Sequence, residues 1–318
     1  MISVDPNHTQ SAYGGSGWQP RTHSLRGELG NIWSACGIDS EYQRLTHVLL
    51  HRPGTELEAS ANPDAVNMLE PLDLARAQAQ HDALADVYRA HGITVTYAEP
   101  AHTPTPNQMF MADVFVMTPE GAIVARPASQ VRAGEERIAA RRLSDIGVPI
   151  LRSINNRGTF EGADLMWLDP QTAIVGRGLR TNDDGAAQIE QLLTSMGIRM
   201  IKVDLPFGSM HLMGMLRIVD RNLAIVWPSR FVHRGVDALR ERGFMWQCSQ
   251  RTKKYAVVLR LILSLLRRAP LSWQLGIHAH RHGLNNMASP VSPRLLTSSP
   301  RRRAPSAVSQ ELLPVICN

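Results

Sequence analysis

The sequence predicts an α/β fold assembled from repeated strand–strand–helix–strand modules. A strand–turn–strand pattern occurs three times, and its copies lie about 51 positions apart. Each copy is followed by apolar residues at helical spacing, a glycine and, after the first two copies, a short apolar strand. Repeats that cannot bury their own apolar faces must pack on their neighbours. They form either an open array or a ring closed around an axis.

The clearest hairpin lies in the middle of the chain. Two apolar runs, Leu165–Leu168 and Thr172–Val175, flank the turn residues Asp169-Pro170-Gln171, a composition typical of a tight connection between strands. The preceding copy spans residues 112–126, and the following copy begins at Leu216. In the first two copies, acidic residues stand where the first strand begins and an arginine stands where the second strand ends.

The helical segments end at glycines, which favour the backbone conformation that terminates a helix. A further helix and its strand precede the first hairpin, after a first buried strand at Arg44–His51. The predicted helices are Leu72–His91, Gly134–Ile146, Asp184–Met196 and Val232–Arg242, and the strands that follow the first three are Ile93–Tyr97, Val148–Leu151 and Ile198–Val203.

Three regions are expected along the chain: a loosely held arm at residues 1–40, an α/β domain at 41–244, and a basic, poorly ordered tail at 245–318. The modules stop after Phe244, because Met245–Gln250 has a poor strand composition. The last module is therefore expected to be incomplete. The net charge of +6 belongs to the tail, since residues 250–318 contain eleven Lys or Arg and one acidic residue.

The composition predicts a soluble globular protein, with 43% apolar and 19% charged residues. Three cysteines form no disulfide framework and no signal peptide opens the chain, so a cytoplasmic location is expected. The longest apolar run, Tyr255–Leu266, is too short to span a bilayer. Because neither zinc-type spacing nor a phosphate-binding loop occurs, no metal and no organic cofactor is expected.

Several motifs taken together resemble the guanidino-group-modifying superfamily. They are Val48–Gly54, PNQMFMADVFV at 106–116, Arg126-Pro127 through Gly134-Glu135-Glu136, FEGAD at 160–164, Arg180-Thr181-Asn182 with Gly185-Ala186, and Met210-His211-Leu212. That superfamily includes arginine deiminases, dimethylarginine dimethylaminohydrolases and amidinotransferases. The resemblance covers residues 42–244. It implies an α/β-propeller of five modules with pseudo-fivefold symmetry and an active site in its central channel.

The chemistry of the residues agrees with this resemblance. A guanidinium is a planar cation whose N–H groups match carboxylates, so Asp113 and Glu161, which open equivalent hairpins, could grip one from two sides. His211 could deliver a proton to a leaving amine and later activate water, which makes His211 and Glu161 the catalytic candidates. The resemblance implies that Arg132 and Arg180 hold the α-carboxylate of an amino-acid substrate. A third acidic candidate, Asp164, is expected to be structural within the substrate site.

The nucleophile is missing from its expected place. The superfamily uses a cysteine thiolate that follows a glycine-rich segment near the C-terminus. None of Cys36, Cys248 and Cys317 lies in such a segment. The residues beyond Met245 resemble a high-GC coding strand translated in the wrong frame, so we hypothesise that a frameshift replaced the last module. Resequencing of the locus tests this, and an intact reading frame would count against it.

Three functions remain open at this stage. The first is hydrolysis of the guanidino group of arginine or methylated arginine, which gives citrulline. The second is amidino transfer from arginine to another amine, and the third is a catalytically inactive protein that binds guanidino ligands. A small guanidino compound is the expected partner, and neither nucleic acid nor a membrane is. The alternative for the tail is a genuine basic segment that binds nucleic acid or a membrane surface.

Overall fold

The computed structural model describes residues 18–227, 229–248 and 315–317 of the chain, with the backbone alone at 247–248 and 315–317. The helices are α1 Leu25–Glu28, α2 Leu74–Ala90, α3 Met111–Val114, α4 Glu135–Asp145, α5 Asp183–Ser195 and α6 His233–Glu241. The strands are β1 His47–Leu50, β2 Thr94–Tyr97, β3 Phe115–Thr118, β4 Gly121–Val124, β5 Ile150–Ser153, β6 Leu165–Asp169, β7 Thr172–Arg177, β8 Arg199–Asp204, β9 Leu216–Asp220, β10 Leu223–Val226, β11 Met245–Cys248 and β12 Val315–Cys317.

Within these residues the strands form four three-stranded sheets, in the orders β3-β4-β5, β6-β7-β8, β9-β10-β11 and β12-β1-β2. In each sheet the middle strand is antiparallel to the first strand and parallel to the third. The helix of each module connects the middle strand to the third. The predicted strand–strand–helix–strand repeat is thereby confirmed, and a fifth module would fall among residues outside the described ranges.

The modules share apolar cores that cross their boundaries. One buried cluster joins the sheets β3-β4-β5 and β6-β7-β8 through side chains such as Phe115, Trp167 and Leu193. A second cluster joins β6-β7-β8 to β9-β10-β11 through Ile174 and Leu216, among others. Because successive strand residues point to opposite faces, a sheet that is buried on both sides feeds both clusters. This explains the continuous apolar runs of the second hairpin.

Two strand predictions need correction. Residues 112–114 were expected to open a strand, but they belong to the one-turn helix α3, whose Asp113 N–H donates to the Phe110 carbonyl at 3.0 Å. The pattern of modules was expected to stop after Phe244, yet Met245–Cys248 forms β11, parallel to β10. Backbone pairing with an existing strand outweighs its weak local propensity.

Parts of the segments before and after the expected domain contact it. From the segment that precedes it, Ile38 is buried in the first cluster and its N–H donates to the Thr118 carbonyl at 3.0 Å. From the segment that follows it, β12 pairs antiparallel with β1. Residues 1–17 and 249–314 lie outside the described ranges, so the expected arm and tail stay predictions. Among the described helices, none combines the length and apolar character that a membrane span requires.

Neighbouring modules come closest at Gly162. A Cβ atom at this position would lie 2.4 Å from the Phe115 carbonyl oxygen and 2.5 Å from that of Ala112. Both oxygens belong to the backbone at the start of the preceding hairpin and cannot swing aside. A residue without a side chain is therefore required where the two modules meet.

We expect Gly162→Ala to lower the free energy of unfolding by about 1–3 kcal/mol, because the methyl group would overlap backbone atoms. Gly214→Ala is the matched control. Gly214 also belongs to a one-turn segment before a hairpin, but a Cβ atom there would have no atom within 4 Å. Urea denaturation of both variants measures the difference. Equal stability of the two would contradict the proposed close approach.

Candidate active site

A short turn before each hairpin delivers the polar side chains of the site. The helix α3 carries Asp113 ahead of β3, a 3₁₀ turn at Gly162–Asp164 follows Glu161 ahead of β6, and another at Leu212–Gly214 follows His211 ahead of β9. The three turns contact one another in sequence, first to second and second to third. Equivalent turns of three successive modules thus meet at one end of the sheets.

Glu161 lies at the centre of this group. Its Oε2 is 2.7 Å from Nε2 of His211, and the same nitrogen is 3.8 Å from Oδ1 of Asp113. All three side chains are buried. The predicted convergence of Asp113, Glu161 and His211 is therefore present in the structure.

Arg132 joins the same group from the loop after β4. Its Nη1 donates to Asp113 Oδ2 at 2.7 Å and to Glu161 Oε2 at 3.4 Å. Its Nε and Nη2 both donate to Glu135 Oε2, at 2.9 and 2.8 Å. Arg132 is only 3% exposed and is engaged with carboxylates of the protein itself, an arrangement that differs from the expected role of holding a ligand's carboxylate.

Arg180 reaches Glu161 from the other side. Its Nη1 lies 3.1 Å from Oε1 and 3.3 Å from Oε2 of Glu161, and its side chain is 12% exposed. The backbone N–H of Ala128 also donates to Oε1, at 3.2 Å. Every oxygen of Glu161 therefore has at least two donors, and Arg180 is the cation of this group that lies nearest to solvent.

Asp164 connects modules instead of facing a ligand. Its Oδ2 accepts from the Thr181 hydroxyl at 2.6 Å, and its Oδ1 accepts from the Leu212 N–H at 2.9 Å. Since Leu212 follows His211 directly, this carboxylate fixes the backbone that carries the imidazole. The structural role expected for Asp164 agrees with these contacts.

The charges of the site shift each other's pKa. Burial alone would raise the pKa of Glu161, but the hydrogen bond from His211 and the charges of His211, Arg132 and Arg180 lower it to about 2. Burial would lower the pKa of His211, but the charge of Asp113 and the bond to Glu161 raise it to about 9. Burial raises the pKa of Asp164 to about 6. At neutral pH the central contact is an imidazolium–carboxylate pair.

Two site residues that the sequence did not predict, Glu135 and Phe110, contact the guanidinium of Arg132. Glu135 binds two of its nitrogens, and the ring of Phe110 lies with its centroid 5.8 Å from Cζ of the guanidinium. Both residues occur within the quoted motifs without an assigned role. The spacing of Arg132 and Glu135 carried no signal for their contact, because Arg132 precedes α4 and the left-handed Gly134 separates it from Glu135, so the rule for neighbours within one helix does not apply.

Asp113, Glu161 and His211 also have the chemistry of metal ligands, with one donor atom from each within 4.8 Å of the others. The charge of the carboxylates is however balanced by Arg132 and Arg180, whose nitrogens contact them directly. These two partners of the carboxylates are planar guanidinium cations, which match carboxylates in shape and charge. The expectation that no metal is used stays a prediction.

Two of the three cysteines, Cys36 and Cys317, have described positions away from this group. Cys36 is half-buried against the core, and burial raises its pKa. Its neighbour Gly37 abuts the Pro119 carbonyl, at the end of β3 opposite Asp113, about 13 Å along the strand. The backbone of Cys317 pairs with His47, at the start of β1, whereas the site lies at the end of each middle strand. For Cys248 only its backbone position at the end of β11 is described.

The unfolding free energy is expected to fall as the pH rises from 6.5 to 9, by up to about 3 kcal/mol from His211 alone. The native pKa of His211 is raised, so its stabilising charge is fully present below pH 6.5 and is lost as the pH passes through 9. Urea titrations across this range measure the slope. His211→Gln should remove this part of the slope, whereas His233→Gln, at an exposed position, should keep it. An unchanged slope in His211→Gln would show that the pair is not charged.

Comparison with known proteins relates this geometry to one family. A family model for the eukaryotic N,N dimethylarginine dimethylhydrolase matches residues 61–245. A dimethylarginine dimethylaminohydrolase from Streptomyces coelicolor is 28% identical over 134 residues, which are 42% of this chain and 51% of that protein. Its counterpart from Mycobacterium tuberculosis is 28% identical over 166 residues, 52% and 53% of the two chains. This chain thus spans about half the length of these curated relatives.

A solved structure supports the fold. Dimethylarginine dimethylaminohydrolase from Pseudomonas aeruginosa, a mutant in complex with citrulline, superposes with a TM-score of 0.54 at 22% identity, over 64% of this chain and 77% of that one. The predicted α/β-propeller class is therefore confirmed. The resemblance to the guanidino-group-modifying superfamily is confirmed by the family model and the curated relatives. The family model matches more than half of the residues of this chain, which therefore belongs to the N,N dimethylarginine dimethylhydrolase family.

Proposed function

We propose that the protein is a hydrolase of the guanidino group of dimethylarginine or arginine, which it converts to citrulline. The observation that carries this proposal is the meeting of Asp113, Glu161 and His211 from three successive modules, with His211 Nε2 2.7 Å from Glu161. Membership of the family and the relatives' names, dimethylarginine dimethylaminohydrolase, support the same substrate class.

The two carboxylates would bind the guanidinium of the substrate. Asp113 and Glu161 are buried and both approach Nε2 of His211, so together they offer carboxylate oxygens to the N–H groups of one ligand. Charge-assisted hydrogen bonds of this kind are strong in a site from which water is excluded. Arg180, at the solvent side of the group, is the candidate for the ligand's carboxylate, and Arg132 is the second candidate implied by the family.

The proposed reaction has two steps. A cysteine thiolate attacks the central guanidinium carbon, the C–N bond to the departing amine breaks, and His211 gives that amine its proton. The product of this step is an amidino-thioether on the protein. His211, now neutral, takes a proton from water as the water attacks the same carbon, and the C–S bond breaks to give citrulline and the thiol. A resting imidazolium, as the raised pKa of His211 provides, suits the first proton transfer.

A second candidate function is binding of guanidino ligands without turnover. It is favoured by the positions of Cys36 and Cys317, neither of which lies at the end of the sheets that carries His211. The two functions share the binding site and differ only in whether a thiol reaches it.

An assay for citrulline with dimethylarginine and with arginine separates these functions. We expect citrulline from at least one substrate, and a covalent amidino adduct, found by intact-protein mass spectrometry and mapped to one cysteine peptide. Serine variants of Cys36, Cys248 and Cys317 then identify the thiol. Binding without product in every condition would reject the hydrolase. Product that appears only when an amine acceptor is added would indicate amidino transfer instead.

We expect Glu161→Gln to weaken the binding of dimethylarginine or arginine by at least about tenfold, because the ligand's cation loses a charged acceptor. Glu190→Gln is the matched control, since Glu190 is a partly exposed residue of α5 that pairs with Lys202 outside the site. Isothermal titration calorimetry measures both affinities. Equal binding by the two variants would place the ligand elsewhere.

A further inference from the structure

We propose that Arg132 is a resident guanidinium of the site: it occupies the carboxylates that a guanidino ligand needs, and the ligand binds by displacing it. Glu135 is the positioning residue that holds Arg132 there. This inference rests on the proposed function, because it takes Asp113 and Glu161 as the acceptors of the ligand's guanidinium. In this proposal Arg132 acts before the ligand binds, whereas the role implied by the family, contact with the ligand's carboxylate, begins only once the ligand is bound.

The contacts of Arg132 are those expected of a bound guanidino ligand. Its Nη1 bridges Asp113 at 2.7 Å and Glu161 at 3.4 Å. Its side chain is 4% exposed, against 2% for Asp113 and none for Glu161. The planar cation of the protein therefore lies on the same two carboxylates that were selected, on chemical grounds, to bind the planar cation of a substrate.

Glu135 holds the opposite edge of this guanidinium. Nε and Nη2 of Arg132 bind one oxygen of Glu135, and the other oxygen accepts from the Thr105 hydroxyl at 2.6 Å. Glu135 is the first residue of α4, after Gly134, whose φ of 98° lies in the left-handed region that favours glycine. The turn at Gly134 lets residues 132 and 135 face each other, so the direction of Arg132 is set by the chain.

Groups of the protein already occupy most of the hydrogen-bond acceptors of Asp113 and Glu161 in this arrangement. Oε1 of Glu161 already has two donors, Ala128 and Arg180, and Oε2 has three, Arg132, Arg180 and His211. Asp113 Oδ2 is taken by Arg132 and its Oδ1 faces His211. A ligand that brings N–H groups to both carboxylates competes with Arg132, because the guanidinium of Arg132 contacts both of them, whereas that of Arg180 contacts Glu161. Arg132 thus lowers the affinity for any bare guanidinium.

The test compares methylguanidinium, which has no carboxylate, with L-arginine. Both are titrated calorimetrically into the wild type, Arg132→Met and Arg132→Lys at one salt concentration. We expect Arg132→Met to bind methylguanidinium at least about tenfold more tightly than the wild type, because two buried carboxylates lose their cation and regain one from the ligand. Arg132→Lys should show a smaller gain, since an ammonium can contact Asp113 or Glu135 but does not span both.

Arg126→Met is the matched control. Arg126 lies in the same loop as Arg132 and donates to the Gly158 carbonyl at 3.0 Å without touching the carboxylates, so its removal should leave methylguanidinium binding unchanged. Should Arg132→Met fail to fold, Arg132→Lys and the shift of its melting temperature by methylguanidinium decide the question. If methylguanidinium raises the melting temperature of Arg132→Lys more than that of the wild type, the proposal is supported. An equal or smaller rise contradicts it.

Two patterns would overturn the proposal or its basis separately. If Arg132→Met loses L-arginine binding and methylguanidinium binds as in the wild type, Arg132 serves the ligand's carboxylate and is not a resident occupant. If the wild type binds neither L-arginine nor dimethylarginine while Arg132→Met gains methylguanidinium, the proposed function fails and the resident guanidinium stands. Absence of binding by every variant rejects both.

Discussion

A carboxylate with no exposed surface, that of Glu161, is the constraint on which the rest of the site depends. An ion of this kind is costly to bury unless opposite charges and hydrogen bonds surround it. The compensating groups come from the loops after β4 and β7 and from the turn before β9: Arg132 with the Ala128 N–H, Arg180, and His211. Three modules must therefore take up their relative positions before this one charge is satisfied.

That requirement explains why the cations of the site are not interchangeable. Arg132 is clamped between carboxylates of its own module and of the next one, and His211 is fixed through the Leu212 N–H by Asp164. Arg180 retains some exposure. Within one cluster, the described residues thus divide into deeply held charges that define the site and one cation near solvent that a ligand meets first. In the proposed reaction, this order separates recognition of the ligand from its chemistry.

Local signals predicted the repeat, and long-range contacts decided the rest. Glycine-terminated helices and the Asp169-Pro170-Gln171 turn depend on neighbours in the chain, so the elements around them were predicted almost to their ends. Residues 112–114 were predicted as a strand because they continue an apolar run, but they form a helical turn that contacts the next module. β11 was missed because its stability comes from pairing with β10.

The site was predictable to a similar degree. Asp113, Glu161 and His211 could be selected by the order of their motifs, since each opens a hairpin. The partnership of Arg132 with Glu135 could not, because it depends on the direction of a loop that turns at Gly134. Nor could sequence reasoning see that the guanidinium of Arg132 fills the carboxylate pair, since charge type alone does not tell whether an arginine faces a ligand or the protein.

The close approach at Gly162 also bears on how the protein unfolds. Arrays of repeats often lose their modules one at a time, since each contacts only its neighbours. Here the backbone of one module approaches carbonyl oxygens of the preceding one, and the Glu161 carboxylate beside that contact takes two of its charged partners, Arg132 and His211, from the neighbouring modules. Detachment of a single module would leave a buried charge without part of its partners. The modules around the site should therefore unfold together, as one cooperative unit.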